Sequence, residues 1–261
     1  METMVGGRKV EAVLHCGKAG WWFGMDRATG KLLFRSDEFV RHQNTYNAWN
    51  SNMPQAPQGV VVAPGGSGGV DFSPVSLDPG SGIVYVAAIH RPKILTLEKI
   101  PNSPGYPALF KMDRKAVPIS QGWGTLTALD VKNGGHTVWQ VETPAPLAGG
   151  ALATADGLVC IGETNGHFDA FDSATGKALW TYQTGANVGA PAMSYSVNGR
   201  QYIAVATGNP ATPAVRAFAG TLNRAGGAII VFARRRSKRS AASFAGNREN
   251  PSPAGTSNDF I

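Results

Sequence analysis

The chain has few of the features that would place it at once. Across 261 residues there is no uninterrupted apolar run of the length a membrane-spanning helix requires. The opening stretch, METMVGGRKVEAVLHCGK, holds no continuous apolar core of the secretory kind, so the expectation is a chain without a signal peptide. Only 2 cysteines occur, Cys16 and Cys160, far apart and outside any C-x-x-C-H or zinc-type spacing. They are expected to be free buried thiols. His15, His42, His90, His136 and His167 show no metal-ligand spacing. The run Pro64–Gly69 (PGGSGG) lacks the Gly-Lys-Ser/Thr that a phosphate-binding loop needs. Charge is sparse too, at 16%.

What the chain does have is glycine (33 residues), proline (17) and many short apolar stretches between them, the pattern of short strands joined by tight turns. The net charge of +7 is concentrated at the C-terminal end, in Arg234, Arg235, Arg236, Lys238, Arg239 and Arg248. These lie among Ser, Ala, Gly and Asn, so residues 234–261 are expected to form a basic, disordered tail rather than a nucleic-acid surface.

One segment repeats. Asp169–Trp180 reads DAFDSATGKALW, and Thr127–Trp139 reads TALDVKNGGHTVW; the Asp130-to-Asp172 and Gly134-to-Gly176 steps are both 42 residues. A looser copy, FGMDRATGKLLF, spans Phe23–Phe34. A step of about 40–45 residues is the period of a four-stranded propeller blade. Within each copy an apolar strand ends at Asp, a polar turn follows, and a second strand runs to a large aromatic. Asp and Thr can hydrogen-bond the turn backbone and Gly supplies positive φ. The aromatic can pack on a neighbouring blade.

The fold expected is therefore all-β: a β-propeller of four-stranded antiparallel blades, with about three and a half blades in residues 1–233 and an incomplete ring. The first unit shows strands at Val10–His15, Gly20–Asp26 and Lys31–Phe34, with its opening strand missing. The second begins near Val70 and is interrupted by a Pro-rich excursion at 90–121. The third has strands at Gly149–Thr154, Leu158–Gly162, His167–Asp172 and Ala178–Tyr182. The fourth carries a hairpin about Asn198-Gly199 and a strand at Ala228–Ala233. A closed four-bladed ring is also physically allowed.

The string from Gly157 to Gly208 resembles the C-terminal part of the pyrroloquinoline quinone (PQQ)-dependent, or quinoprotein, alcohol dehydrogenases, eight-bladed propellers with a tryptophan-docking repeat A-x-D-x-x-T-G-x-x-x-W. Ala170–Trp180 matches that repeat at every fixed position. Ala128–Trp139 has Asn133 for Thr and one extra residue, and Gly24–Phe34 keeps Asp26, Thr29 and Gly30. The resemblance implies the C-terminal portion of an enzyme that oxidises an alcohol or sugar-type hydroxyl by hydride transfer to PQQ in the periplasm. It places Lys18 beside the quinone oxygens. Where many members have Asn-Trp near the cofactor, this chain has Asp71 and Phe72. Two further pocket-facing loops carry Ala148 and Gly149, and Asn187 and Val188. Small residues there permit either close approach to a flat ring or a tight entry to an inner strand.

The family's calcium ligands, catalytic carboxylate and vicinal disulfide belong to the N-terminal half of the propeller, which no segment here matches. No catalytic and no metal-binding residue is expected in this chain, and calcium only through that missing half. The chain alone is expected to be inactive and to need complementary N-terminal blades or self-association. The alternative is a non-catalytic propeller that uses PQQ-like repeats as a protein-binding scaffold.

Overall fold

The computed structural model describes residues 2–5, 7–44, 59–70, 73–100, 109–116, 122–208 and 226–233. The expected tail at 234–261 lies outside them, as do 101–108 and 117–121 of the excursion. All regular structure described is β.

Three sheets have four antiparallel strands each. The first runs β1 (Glu2–Val5), β2 (Arg8–Cys16), β3 (Trp22–Asp26), β4 (Leu32–Arg35) in spatial order. The short β5 (Val60–Val62) follows in the chain. The second sheet is β6 (Ser76–Asp78), β7 (Ile83–His90), β10 (Trp123–Asp130), β11 (His136–Thr143), and between β7 and β10 the chain makes the hairpin β8 (Lys93–Ile100) and β9 (Leu109–Ala116). The third is β12 (Ala151–Ala153), β13 (Leu158–Gly162), β14 (His167–Asp172), β15 (Ala178–Gln183). A fourth sheet has three strands, β16 (Met193–Val197), β17 (Arg200–Thr207) and β18 (Ala228–Ala233). These are successive propeller blades, and they do not close a ring.

The opening strand that the sequence reading left out is present. Glu2–Val5 pairs antiparallel with Arg8–Glu11, and Thr3 is buried, its hydroxyl donating to Val131 O at 2.6 Å. ETMV is short and half polar, so its strand character comes from this contact with the second blade, not from its own pattern. The excursion is also ordered in part: β8 and β9 pair along eight residues, and β8 pairs with β5.

The second and third blades bury both faces, because alternate residues of a strand point to opposite sides. On β7, Val84, Val86 and Ala88 pack toward the first blade with Trp22, Phe39, Val40, Leu129 and Val131. Tyr85 and Ala87 pack the other way, with Leu126, Ala128, Leu147, Val159, Ile161 and Phe171. A third layer joins the third and fourth blades through Cys160, Phe168, Ala170, Val188, Ile203, Val205 and Phe232. The far face of the fourth blade has no such cover among the described residues: Met193, Tyr195, Val197, Ile229 and Val231 are exposed.

The repeat is a turn plus a bulge. Asp172 Oδ1 accepts from the Ala174 and Thr175 amides and the Thr175 hydroxyl, and Gly176 N donates to Asp172 O at φ +72°. Asp26 makes the same set with Ala28, Thr29 and Gly30. At Asp130, the Asn133 side-chain amide replaces the threonine hydroxyl, donating to Oδ2 at 2.7 Å. The extra residue there shifts the closing bond to Gly135, so Gly135 rather than Gly134 takes the place of Gly176. Each copy then slips register by one residue, at Gly24/Met25, Ala128/Leu129 and Ala170/Phe171. Gly24 stands where the others have Ala because the Phe34 ring occupies the space of a β-carbon.

Candidate functional site

The Asp-Gly turns of the repeat, at Asp26, Asp130 and Asp172, join the third and fourth strands of their blades. Antiparallel pairing therefore puts the second-to-third-strand turns and the blade-to-blade crossings on the opposite face. Lys18, Ala148, Gly149, Asn187 and Val188 all lie on that face: Lys18 in the β2–β3 turn, and the others in the β11–β12 and β15–β16 crossings. Asp71 and Phe72 fall outside the described residues.

Lys18 is exposed, and its ammonium donates to Gly66 O at 3.2 Å. The Gly-rich loop after Pro64 is pressed against this turn: a β-carbon on Gly69 would lie 2.6 Å from Lys18 Cα, and Val70 N donates to Gly17 O. The glycines there let two backbones touch.

The other four are taken up inside the chain. Ala148 is buried and its carbonyl accepts the Ser73 hydroxyl. Gly149 faces the backbone of the next crossing, with a β-carbon falling 2.8 Å from Ala190 O and 3.1 Å from Val188 O. Asn187, buried, donates to Thr164 O at 3.1 Å and accepts from Gly208 N through its carbonyl. Val188 has no exposure and belongs to the third apolar layer. Of the two uses of small residues left open above, Gly149 serves a tight backbone crossing.

The sequence reading missed a carboxylate on this face. Glu163, just after β13, is 2% exposed. Its Oε2 accepts from Ala145 N at 2.9 Å and from Asn165 Nδ2 at 3.2 Å. Burial first, then a hydrogen bond and charge repulsion from Asp169, push its carboxyl up to about 8. Asp169 is itself buried. The signal was available in GETNGHFD: hairpin register sets Ile161 opposite Asp169 and Glu163 opposite His167, so both acids share the face that turns to the second blade.

A second feature is an open cleft of about 290 Å³ lined by Glu38, Phe39, His90, Trp123, Gln140 and Glu142, among others. His90 is buried, stacks on Trp123 at 4.8 Å, and hydrogen-bonds Thr125 Oγ1 through Nε2 at 2.9 Å. Burial, with a smaller contribution from His42, pulls its pKa down to about 4, so the ring is neutral. Among the described residues no group of three or more His, Cys, Asp or Glu is placed to hold a metal ion.

Residues 36–203 match the family model described as "PQQ: Glucose/ethanol/alcohol dehydrogenase, beta-propeller domain". The chain is 30% identical over 223 residues to the quinoprotein ethanol dehydrogenase of Pseudomonas aeruginosa, covering 77% of this chain and 35% of that protein. It is 31% identical over 226 residues to the quinohemoprotein alcohol dehydrogenase of Comamonas testosteroni, covering 79% and 31%. The crystal structure of the Comamonas testosteroni quinohemoprotein alcohol dehydrogenase superposes with a TM-score of 0.65 at 28% identity, over 80% of this chain and 33% of that one. A europium-containing methanol dehydrogenase shares the fold, at TM-score 0.66, 24% identity, and 88% and 46% coverage. The chain thus spans about a third of the length of the curated relatives it matches. By the extent of the family match and the blades that carry it, this chain belongs to the PQQ-dependent glucose/ethanol/alcohol dehydrogenase β-propeller family.

Proposed function

We propose that the chain is the C-terminal portion of a PQQ-dependent dehydrogenase that oxidises an alcohol or sugar-type hydroxyl, and that it is inactive by itself. The observation that carries this is the family match through the repeat-bearing blades, at about a third of the relatives' length. The repeat geometry supports it. Gly176 lies under the Trp139 ring and Gly135 next to the Phe34 ring, whereas Gly30, the equivalent position of the first blade, has nothing within 4 Å among the described residues. In a tryptophan-docking array that open seat takes the aromatic of a preceding blade.

PQQ, when bound, accepts a hydride from the substrate carbon. Toward it this chain offers the exposed cation Lys18 and a close-packed wall. The ammonium fits a group that is anionic and gains charge on reduction. At the crossings the Asn187 side-chain amide and the Ala148 carbonyl are already bonded within the chain, so in this reading they serve as wall and not as ligand contacts. The catalytic base and the calcium ligands come from the rest of the ring, in this reading, through complementary blades or a second copy, and the complete enzyme works in the periplasm. Boundaries at 1–233 for the blades and 234–261 for a basic tail belong to the same reading.

The test is to assay alcohol-dependent dye reduction with PQQ and calcium, first with the purified chain and then after adding the missing blades. Robust turnover by the chain alone would sink the claim that it is incomplete. A completed ring that neither binds PQQ nor turns over would favour the scaffold alternative.

A further inference from the structure

We infer that Glu163 is the positioning residue of the pocket-side face, a proton-dependent clasp that holds the crossing between the second and third blades in place. Three groups converge on its carboxyl. From the crossing comes the Ala145 amide, donating at 2.9 Å. From its own turn comes Asn165 Nδ2, at 3.2 Å on the same oxygen. From β14 comes Asp169, which shares a hydrogen bond with it. Since Oε2 accepts from two N–H donors, a proton on this carboxyl falls to Oε1.

The backbone around Glu163 ties in the rest of the face. Thr164 N donates to Pro146 O at 3.1 Å, and Val188 N donates to Glu163 O at 3.2 Å. Glu163 therefore meets both crossings that wall this face, one through its carboxyl and the other through its backbone carbonyl. The charged and titratable groups facing it are few. On β14 they are Asp169 and His167, whose Nδ1 is 3.9 Å from Oε1. The crossing from Thr143 to Ala148 contributes no ionisable side chain, and neither does 184–188. With the proton in place the pair is a satisfied hydrogen-bonded unit. Without it, two buried carboxylates face each other with a single partly exposed imidazole as possible counter-charge, an arrangement that repels. Burial raises the carboxyl toward the range in which such a loss occurs near neutral pH.

The clasp stands on this chain's own geometry; only its consequence, that alkaline pH loosens a cofactor wall, rests on the function proposed above. The experiment is made without cofactor. Amide hydrogen exchange at Ala145 and Thr164 is followed from pH 6 to 9, corrected for base catalysis, in the full chain and in Glu163→Gln. Gln can accept from Ala145 and donate to Asp169 at every pH. The wild type should lose up to about tenfold protection per pH unit as pH rises toward 8 and level off above it, and Glu163→Gln should show a flat profile. Identical profiles in the two proteins would overturn the clasp. Should Glu163→Gln fold poorly, carboxyl ¹³C titration of the wild type decides: a midpoint near 8 supports the clasp and one in the ordinary glutamate range overturns it. Failure to bind PQQ would count against the proposed function and leave this result untouched.

Discussion

The indole of Trp139 reaches out of its own blade to the turn of the next, its Nε1 donating to Ser173 O at 3.0 Å while its ring covers Gly176. A β-carbon on Gly176 would fall 2.6 Å from Trp139 Cε3, and the residue is already at φ +72°. Gly30 has nearly the same φ, +71°, with open space above it. Gly30→Ala should therefore cost only the left-handed backbone penalty, about 1–2 kcal/mol. Gly176→Ala should cost clearly more, because the ring must also move. Denaturant midpoints of the two variants check this, and equal losses would mean that the ring adds nothing. Trp139→Phe should lose about 1 kcal/mol with the hydrogen bond.

The Lys18 side chain is exposed and its ammonium donates to Gly66 O. Lys18→Met should leave the thermal midpoint unchanged within about 0.5 kcal/mol. On the proposed reading it should lower kcat/KM of the completed enzyme by about 10²–10³-fold, the size expected for one lost electrostatic contact to developing charge. Unaltered kinetics would remove Lys18 from the cofactor site.

His90 and Glu163 pull stability in opposite directions with pH. The folded His90 refuses protons down to about 4, whereas the unfolded chain takes one near 6.5, so its contribution is lost as pH falls across that window. Glu163 holds its proton up to about 8 in the folded state against 4.5 when unfolded, so its contribution is lost as pH rises from 4.5 to 8. Between 4.5 and 6.5 the two slopes offset one another. His90→Phe, which keeps a ring on Trp123, should recover about 2 kcal/mol of stability at pH 5 relative to pH 7. Glu163→Gln should remove the alkaline decline. Urea titrations at pH 5, 6.5 and 8 read both effects, and parallel curves for all three proteins would refute them.

The two thiols should be nearly inert. Burial pushes both Cys16 and Cys160 up to about 12, leaving almost no thiolate at neutral pH. An Ellman-type titration should find both groups unreactive in the native chain and both reactive in guanidinium. Fast native labelling of Cys160, the more deeply placed of the two, would contradict the packing of the third layer.

The blades were legible in the sequence wherever the repeat carried its own turn chemistry. Asp172, Thr175 and Gly176 form a local hydrogen-bonded unit that needs no distant partner to be recognised. Glu2–Val5 was not legible, since its strand character depends on the second blade 128 residues away, through Thr3 and Val131. The excursion looked irregular from its prolines, yet β8 and β9 pair in unbroken register. Gly135 escaped the alignment because counting residues from Asp130 favours Gly134, and only the hydrogen bond to Asp130 O chooses between them. Within the candidate site, sequence could place residues on a common face but could not tell a wall from a ligand contact. That distinction rests on where the side chain of Asn187 and the carbonyl of Ala148 are already bonded. Glu163 was hidden for the same reason: a Glu beside Thr-Asn-Gly reads as a solvated turn until its partners across the crossing are known.

The aromatic-on-glycine contact has a direction. Phe34 goes to Gly135 and Trp139 goes to Gly176, never the reverse. A self-complementary, two-fold handshake between equal ends cannot use it, because such an interface would need donor and seat on one surface. Growth through this contact is head-to-tail only, and it ends by curving back on itself or not at all.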